Sequence, residues 1–404
     1  MPHQVFLCKG LKDINGMEEN TKKQSVGLVE PETITFDSIE LECGRKLSPV
    51  EICYETYGKL NSRKDNAVLV EHALSGDAHA AGLYSADDKK PGWWDIFIGP
   101  GKAIDTDRYF VICSNIIGGC KGSTGPGSVN KKNNKPYGTT FPPITVRDMV
   151  NAQKKLIDHL GIKNLLSVIG GSLGGMQVLR WAVDYPEAVK SAVVIAATAK
   201  LSAQGIAFNA VGREAITSDP NWFKGDYYDK GKNPEKGLAI ARMIGHITYL
   251  SEDVIEQKFG RKTKADKDTV NGDCSTRVDF TQDEYEIESY LSYQGDSFVK
   301  RFDANSYLYI SKAMDAFDLY RDYGSLENAF KNVKSGFLIV SYTSDWLFPT
   351  WQSKEIVKAL KANNISVTYY NIKSESGHDS FLVEKEIGEL EEVVSPFLDN
   401  IRGR

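Results

Sequence analysis

Gly170-Gly171-Ser172-Leu173-Gly174-Gly175 decides how the rest of this chain is read. An apolar run, Leu165-Leu166-Ser167-Val168-Ile169, precedes it, and a helical pattern, Met176-Gln177-Val178-Leu179-Arg180-Trp181-Ala182, follows. A Gly-x-Ser-x-Gly turn between a strand and a helix sets its serine on a sharp corner with strained backbone. Glycines at 170 and 174 let the strand and the helix approach closely. The hydroxyl then stands at the upper edge of a sheet, at a helix N-terminus whose dipole favours developing negative charge. The pattern predicts a nucleophilic serine at 172.

Outward from the elbow, strands and helices alternate. Strands are predicted at 33–42 and 49–57, as an antiparallel pair with a turn near Gly44, then at 67–72 and 109–113. A helix over 145–160 follows, with Thr145 as N-cap and Gly161 as stop, then the strand 165–170 and the elbow helix to Tyr185-Pro186. Further strands are expected at 191–196, 336–341 and 366–372, and helices at 352–362 and 383–399. Such alternation implies a mostly parallel sheet covered on both faces. It stops between 198 and 330, where helical stretches near 203–217, 234–250 and 284–293 suggest an inserted helical lid. The expected division is a polar tail at 1–30 with the composition of a disordered segment, a core of 31–197 and 331–404, and a lid of 198–330.

Bulk properties narrow the function. A chain of 404 residues can bury one large core with an insertion. A net charge of −5 argues against nucleic acid as a partner. No apolar run approaches the roughly 18–20 residues of a membrane span, and the N-terminus lacks a basic flank and apolar core. Six cysteines without a Cys-x-x-Cys pair imply reduced thiols, a cytoplasmic location and no metal site.

A serine hydroxyl needs a general base, and that base needs an orienting carboxylate. Of six histidines, His378 in Ser376-Gly377-His378-Asp379-Ser380 directly follows the last predicted strand. Asp345, in Tyr342-Thr343-Ser344-Asp345-Trp346, follows the strand 336–341. The chain order Ser172, Asp345, His378 is that of the α/β-hydrolase fold. In that fold the loop after the third strand, His72-Ala73-Leu74-Ser75-Gly76, supplies one backbone N–H of an oxyanion hole, assigned here to Leu74. The other comes from the residue after the nucleophile, Leu173. Trp222, Tyr227, Tyr228, Tyr249 and Phe302 could line an entrance, although lid packing explains most of them. His3, His159 and His246 read as ordinary, with His246 packing inside a lid helix; His72 and His79 are set apart because they flank the oxyanion loop.

The chain resembles the homoserine O-acetyltransferases, α/β-hydrolase-fold enzymes of methionine biosynthesis. The resemblance spans residues 30–395 and rests on His72-Ala73-Leu74-Ser75-Gly76, Pro91-Gly92-Trp93-Trp94-Asp95, Ile98-Gly99-Pro100-Gly101-Lys102 and Cys113-Ser114-Asn115. It extends through Gly118-Gly119-Cys120-Lys121-Gly122-Ser123-Thr124-Gly125-Pro126, Gly170 to Gln177, and Gly377-His378-Asp379-Ser380-Phe381-Leu382. One departure is Leu173, where the family commonly has Met; a backbone donor tolerates that exchange. The resemblance implies that Ser172 takes an acetyl group from acetyl-CoA and passes it to the side-chain hydroxyl of L-homoserine. It implies no permanently bound cofactor and a homodimer joined through the lid. It also implies that Arg213 grips the substrate carboxylate and Asp379 its ammonium. Succinyl-CoA as donor, L-serine as acceptor, or plain ester hydrolysis remain the alternatives.

Overall fold

The computed structural model describes residues 25–263 and 285–403. Eight strands form the main sheet: β1 (Glu32–Phe36), β2 (Val50–Tyr57), β3 (Ala67–Glu71), β4 (Phe110–Ser114), β5 (Ser167–Gly171), β6 (Ser191–Ile195), β7 (Gly336–Tyr342) and β8 (Val367–Ile372). Their order is β1-β2-β4-β3-β5-β6-β7-β8. β2 runs antiparallel to both neighbours, and the strands from β4 to β8 are parallel. β3, β5 and β6 are buried at every residue, which is why they read as continuous apolar runs.

Alternate side chains feed two cores. Leu69, Val168, Val194 and Ile339 face the side covered by α1 (Val146–His159), α2 (Leu173–Asp184) and α10 (Thr350–Ala362). Val70, Ile169, Val193 and Val340 face α11 (Glu384–Arg402), through Leu390, Val394 and Leu398. This is the period of two expected of strands covered on both sides. α1 begins where its sequence says: Thr145 and Asp148 form a reciprocal capping box.

Two local expectations change. The run 33–42 is not one strand. It stops at Phe36, and Ile39–Glu40 turns away to pair with Lys46–Leu47 in a separate ribbon. Ser48 Oγ donates to the Asp37 carbonyl at 2.7 Å and closes that corner. Of the predicted polar tail 1–30, residues 1–24 lie outside the described residues. The remainder is tied down: Val29 N–H donates to Leu83 O at 2.9 Å, and Leu83 N–H to Gly27 O at 3.0 Å.

Between β6 and β7 the described residues form α3 (Ala203–Thr217), α4 (Glu235–Tyr249), α5 (Glu252–Lys258), α6 (Glu286–Val299), α7 (Ala304–Ala316), α8 (Leu319–Tyr323) and α9 (Leu326–Phe330). α4 packs against α3 and α6. A bridge between Lys200 and Asp318, with Leu319 N–H donating to Ala199 O at 3.0 Å, closes the neck of this insertion. α7 escaped the sequence reading because its buried face mixes polar Asn305, Ser306 and Ser311 with apolar Tyr307, Ile310 and Met314. The polar members interrupt the apolar stripe that marks an amphipathic helix.

Candidate active site

Ser172 occupies the corner between β5 and α2 with φ 59° and ψ −122°, a conformation that costs about 1–3 kcal/mol in a non-glycine residue. Its surroundings hold it there. A Cβ on Gly174 would stand 2.1 Å from the Glu71 carbonyl oxygen, and one on Gly170 would stand 2.6 Å from the Gly174 carbonyl carbon. Strand β3, strand β5 and helix α2 thus meet at contact distances only glycine permits. Ser172 N–H is fixed to Ile195 O at 3.0 Å.

The loops after β7 and β8 bring their side chains to this corner. His378 Nε2 lies 2.8 Å from Ser172 Oγ, and its Nδ1 lies 2.8 Å from Asp345 Oδ2. All three residues are buried. Asp345 Oδ1 accepts from the backbone N–H groups of Leu347 and Phe348 at 3.0 and 2.9 Å, so both carboxylate oxygens are engaged. Burial alone would lower the His378 pKa. The Asp345 charge and hydrogen bond outweigh it and hold the imidazole above its ordinary value, with Asp379 adding to the effect. This imidazole is a stronger base than a free one, and its charged form is stabilised.

The backbone N–H groups of Leu74 and Leu173 make no hydrogen bond among the described residues. Leu173 opens α2, where N–H groups lack intrahelical partners. Leu74, Ser172, His378 and Asp379 line one cavity, which leaves about 100 Å3 for water-sized occupants.

Of the two residues carried over for substrate binding, Asp379 lines this cavity and Arg213 does not. Arg213 is already committed. Its guanidinium pairs with Asp315 Oδ2 at 2.6 Å and donates to Ser311 Oγ at 3.2 Å, tying α3 to α7. The cation at the cavity is Arg242 of α4. It reaches Ser75 Oγ at 3.4 Å and stacks over the Tyr249 and Phe298 rings at 5.6 and 4.9 Å. No carboxylate among the described residues pairs with it. Sequence reasoning passed it over, although a signal exists: Arg242 is a cation set into the otherwise apolar helical run Leu238-Ala239-Ile240-Ala241 and Met243-Ile244. Asp379 faces it across the cavity wall. Burial raises the Asp379 pKa, and His378 and Arg242 pull it back.

Of the five aromatic residues considered for the entrance, Tyr249 alone lines the cavity. Tyr227 and Tyr228 bond Asp303, the cap of α7, and Trp222 Nε1 donates to Asn305 Oδ1 at 3.0 Å. Phe302 stacks on Phe298. His246 packs within the lid, where burial and the neighbouring cations Arg242, Arg301 and Lys258 lower its pKa to about 3.

Strand order, elbow and loop placement define a protein of the α/β-hydrolase fold, and the profile of that fold family matches residues 66–385. The homoserine O-acetyltransferase of Methanosalsum zhilinae is 56% identical over 381 residues, covering 94% of this chain and 75% of that protein. That of Leptospira biflexa is 52% identical over 374 residues, covering 93% and 94%. The crystal structure of homoserine O-acetyltransferase from Bacillus anthracis superposes with a TM-score of 0.84 at 31% identity, over 92% of this chain and 98% of that one. Esterase E22 superposes with a TM-score of 0.83 at 30% identity, over 92% and 100%. The chain belongs to the homoserine O-acetyltransferase family.

Proposed function

We propose that this protein acetylates the side-chain hydroxyl of L-homoserine through an acyl-serine intermediate, with acetyl-CoA as donor, in methionine biosynthesis. The observation that carries the reading is the single imidazole held at 2.8 Å from both the Ser172 hydroxyl and the Asp345 carboxylate. His378 takes the Ser172 proton as Oγ attacks the thioester carbonyl. The tetrahedral oxyanion accepts from the Leu74 and Leu173 N–H groups. Collapse expels the thiolate, which takes the proton from His378, and leaves acetyl-Ser172. In the second half His378 deprotonates homoserine Oγ, which attacks the same carbonyl, and the serine leaves with its proton restored.

Homoserine is a zwitterion, and the cavity carries opposite charges to match it. Arg242, without a carboxylate partner among the described residues, suits the α-carboxylate, because a guanidinium binds that group through two parallel hydrogen bonds. Asp379 suits the ammonium. A bound cation would also lower the raised Asp379 pKa. The narrow cavity favours the tethered alcohol over water as acceptor. No permanent cofactor is required by these steps.

The exposed apolar side chains of the lid, Ile206 and Val211 on α3 with Ile240 and Ile247 on α4, support a homodimer formed through that region. Among the described residues no helix is long and apolar enough to cross a membrane, and Cys43, Cys53, Cys113 and Cys120 are free thiols. Both fit a cytoplasmic enzyme.

The test is a panel of donors and acceptors. Acetyl-CoA with homoserine is expected to exceed succinyl-CoA, L-serine and water as alternatives by at least about tenfold in kcat/KM. Esterase E22 shares this fold, so ester hydrolysis with no acceleration by homoserine would replace the transferase reading with a hydrolase.

A further inference from the structure

We propose that His72 is the positioning residue of the oxyanion hole: its imidazole holds the Ala73 carbonyl and so aims the Leu74 N–H at the acyl oxygen. The inference rests on Leu74 N–H being an oxyanion donor, as the proposed function has it. It concerns a side chain that takes no part in the proton transfers.

His72 follows the last residue of β3 and is 1% exposed. Its two ring nitrogens meet groups of fixed polarity. The backbone N–H of Ile116 lies 3.2 Å from Nε2, and an amide N–H can only donate, so Nε2 is the bare acceptor. Nδ1 lies 2.8 Å from the Ala73 carbonyl oxygen, which can only accept, so Nδ1 carries the proton. Both contacts select the same neutral tautomer. Burial lowers the His72 pKa and keeps a second proton away.

The consequence lies in the geometry of one peptide unit. The Ala73 carbonyl and the Leu74 N–H lie in the same trans peptide plane and point in opposite directions within it. Anchoring the carbonyl to the ring directs the N–H away from the ring. Gly76 N–H donates to the same carbonyl at 3.0 Å and closes the turn over the imidazole. The preceding peptide is held too: the His72 carbonyl accepts from Gln177 Nε2 at 3.2 Å. Gln177 sits one turn into α2 from Leu173, which bears the other donor. Its Oε1 accepts from Gln153 Nε2 at 2.8 Å, which fixes the orientation of the amide. The two donors are therefore tied to one another through buried side chains rather than through water.

The full-length enzyme tests this with His72→Leu. Three quantities are read: the rate of Ser172 acetylation by p-nitrophenyl acetate, the affinity for trifluoroacetophenone (whose serine adduct carries an oxyanion), and the homoserine KM. The expected result is a fall in rate and in ketone affinity by the same factor, about 10–100-fold. That is smaller than the ~10²–10³ typical of losing a donor outright. Homoserine KM should stay within about twofold, a split that general loosening of the fold would not produce. His72→Asn, which retains a donor near the Nδ1 position, should recover most of the loss. A folded His72→Leu enzyme with wild-type rate and ketone affinity overturns the proposal. Where His72→Leu lowers the melting midpoint below the assay temperature, Gln177→Met decides. It should show the same split at about 3–10-fold, a fraction of the loss of a donor, and unchanged values overturn the proposal equally. Failure of the wild-type Ser172 to form a ketone adduct at all would instead sink the underlying assignment of the oxyanion hole, whatever the variants do.

Discussion

The sheet and the helical insertion meet at one cavity and contribute unlike things to it. From the sheet side come Ser172, Asp345 and His378, each on a loop that leaves a parallel strand at its C-terminal end, each with its polar atoms engaged. From the insertion come Arg242 and Tyr249, and the charge of Arg242 has no carboxylate partner among the described residues. A closed hydrogen-bond system has no capacity left for a ligand; a half-buried cation with no carboxylate partner among the described residues has. The difference teaches where to look for chemistry and where for selectivity. The core supplies the groups that react at the acyl carbonyl; under the proposed function the insertion supplies the cation that holds the acceptor.

Removing the nucleophile should break the core's contribution outright. Ser172→Ala is expected to remove acyl transfer by a factor of order 10⁶ while the protein stays folded. Mass spectrometry after mixing with acetyl-CoA should show an adduct of about 42 Da on the wild type alone, acetyl replacing a proton. The same adduct on the alanine variant would remove Ser172 from the mechanism.

Asp345→Asn comes next, with an expected loss of about 10⁴ in kcat, because the amide supports the wrong His378 tautomer. It also moves the pH profile. In the wild type the carboxylate holds the His378 pKa above its ordinary value, and the imidazole is a base only when neutral, so activity should rise with pH through a midpoint above about 6.5. Without the carboxylate charge that midpoint should fall, leaving a slow enzyme whose residual activity persists to lower pH. A midpoint that stayed in place would show that another group titrates.

A paired substitution in the insertion sharpens the comparison most directly. Arg242→Met should reduce kcat/KM for homoserine by about 10²–10³, the usual consequence of deleting one side of a desolvated charge pair. Acetylation of Ser172 by acetyl-CoA should change little. Arg213→Met should do the reverse of what the family resemblance led one to expect. It should leave homoserine kinetics near wild type and lower the melting midpoint, since Asp315 loses its partner in a largely buried ion pair. Kinetic damage from the Arg213 variant, with none from Arg242, would exchange their roles.

The asymmetry between core and insertion also governs how much was legible in the amino-acid sequence. Ser172 and Asp345 could be located because each follows a buried strand, which announces itself as a run such as Leu338-Ile339-Val340, and His378 because it follows the edge strand β8, whose Val367-Thr368-Tyr369-Tyr370 is rich in strand-forming residues. The chain order then did the rest. Arg242 and Arg213 both sit on amphipathic helices, where sequence gives the face of a residue only modulo the rotation of the whole helix. Which arginine reaches the cavity is fixed by how α3, α4 and α7 pack, and there the buried polar groups Asn305, Ser306 and Ser311 carry no hydrophobic signature. The break at Phe36 left only a faint trace, a one-residue change of phase from apolar Ile34 and Phe36 to Ile39 and Leu41, where the chain passes to a different ribbon.

The smallest expected effect on rate belongs to Glu71, a second buried carboxyl only a few residues from the oxyanion loop. Where Asp345 faces an imidazole, Glu71 faces an amide: Gln153 Nε2 donates to its Oε2 at 2.6 Å, and burial raises its pKa to about 8. The group is therefore mostly protonated at neutral pH, and Glu71→Gln should keep activity within about twofold because it preserves a neutral side chain of the same shape. Stability should respond instead. Below about pH 4.5, near the ordinary value for glutamate, folded and unfolded chains both hold the proton and the residue contributes no pH dependence. Between there and pH 8 the unfolded chain releases a proton that the folded chain retains, so the wild type loses stability as pH rises, by an amount on the order of a few kcal/mol. Above pH 8 the difference levels off. Melting midpoints measured from pH 5 to pH 9 should diverge across that window, with the glutamine variant gaining on the wild type by a few °C, on the order expected for a chain of this length. Curves that stay parallel would mean that Glu71 ionises in the folded protein as readily as in the unfolded chain, and that water or a counter-charge reaches the layer beneath the elbow.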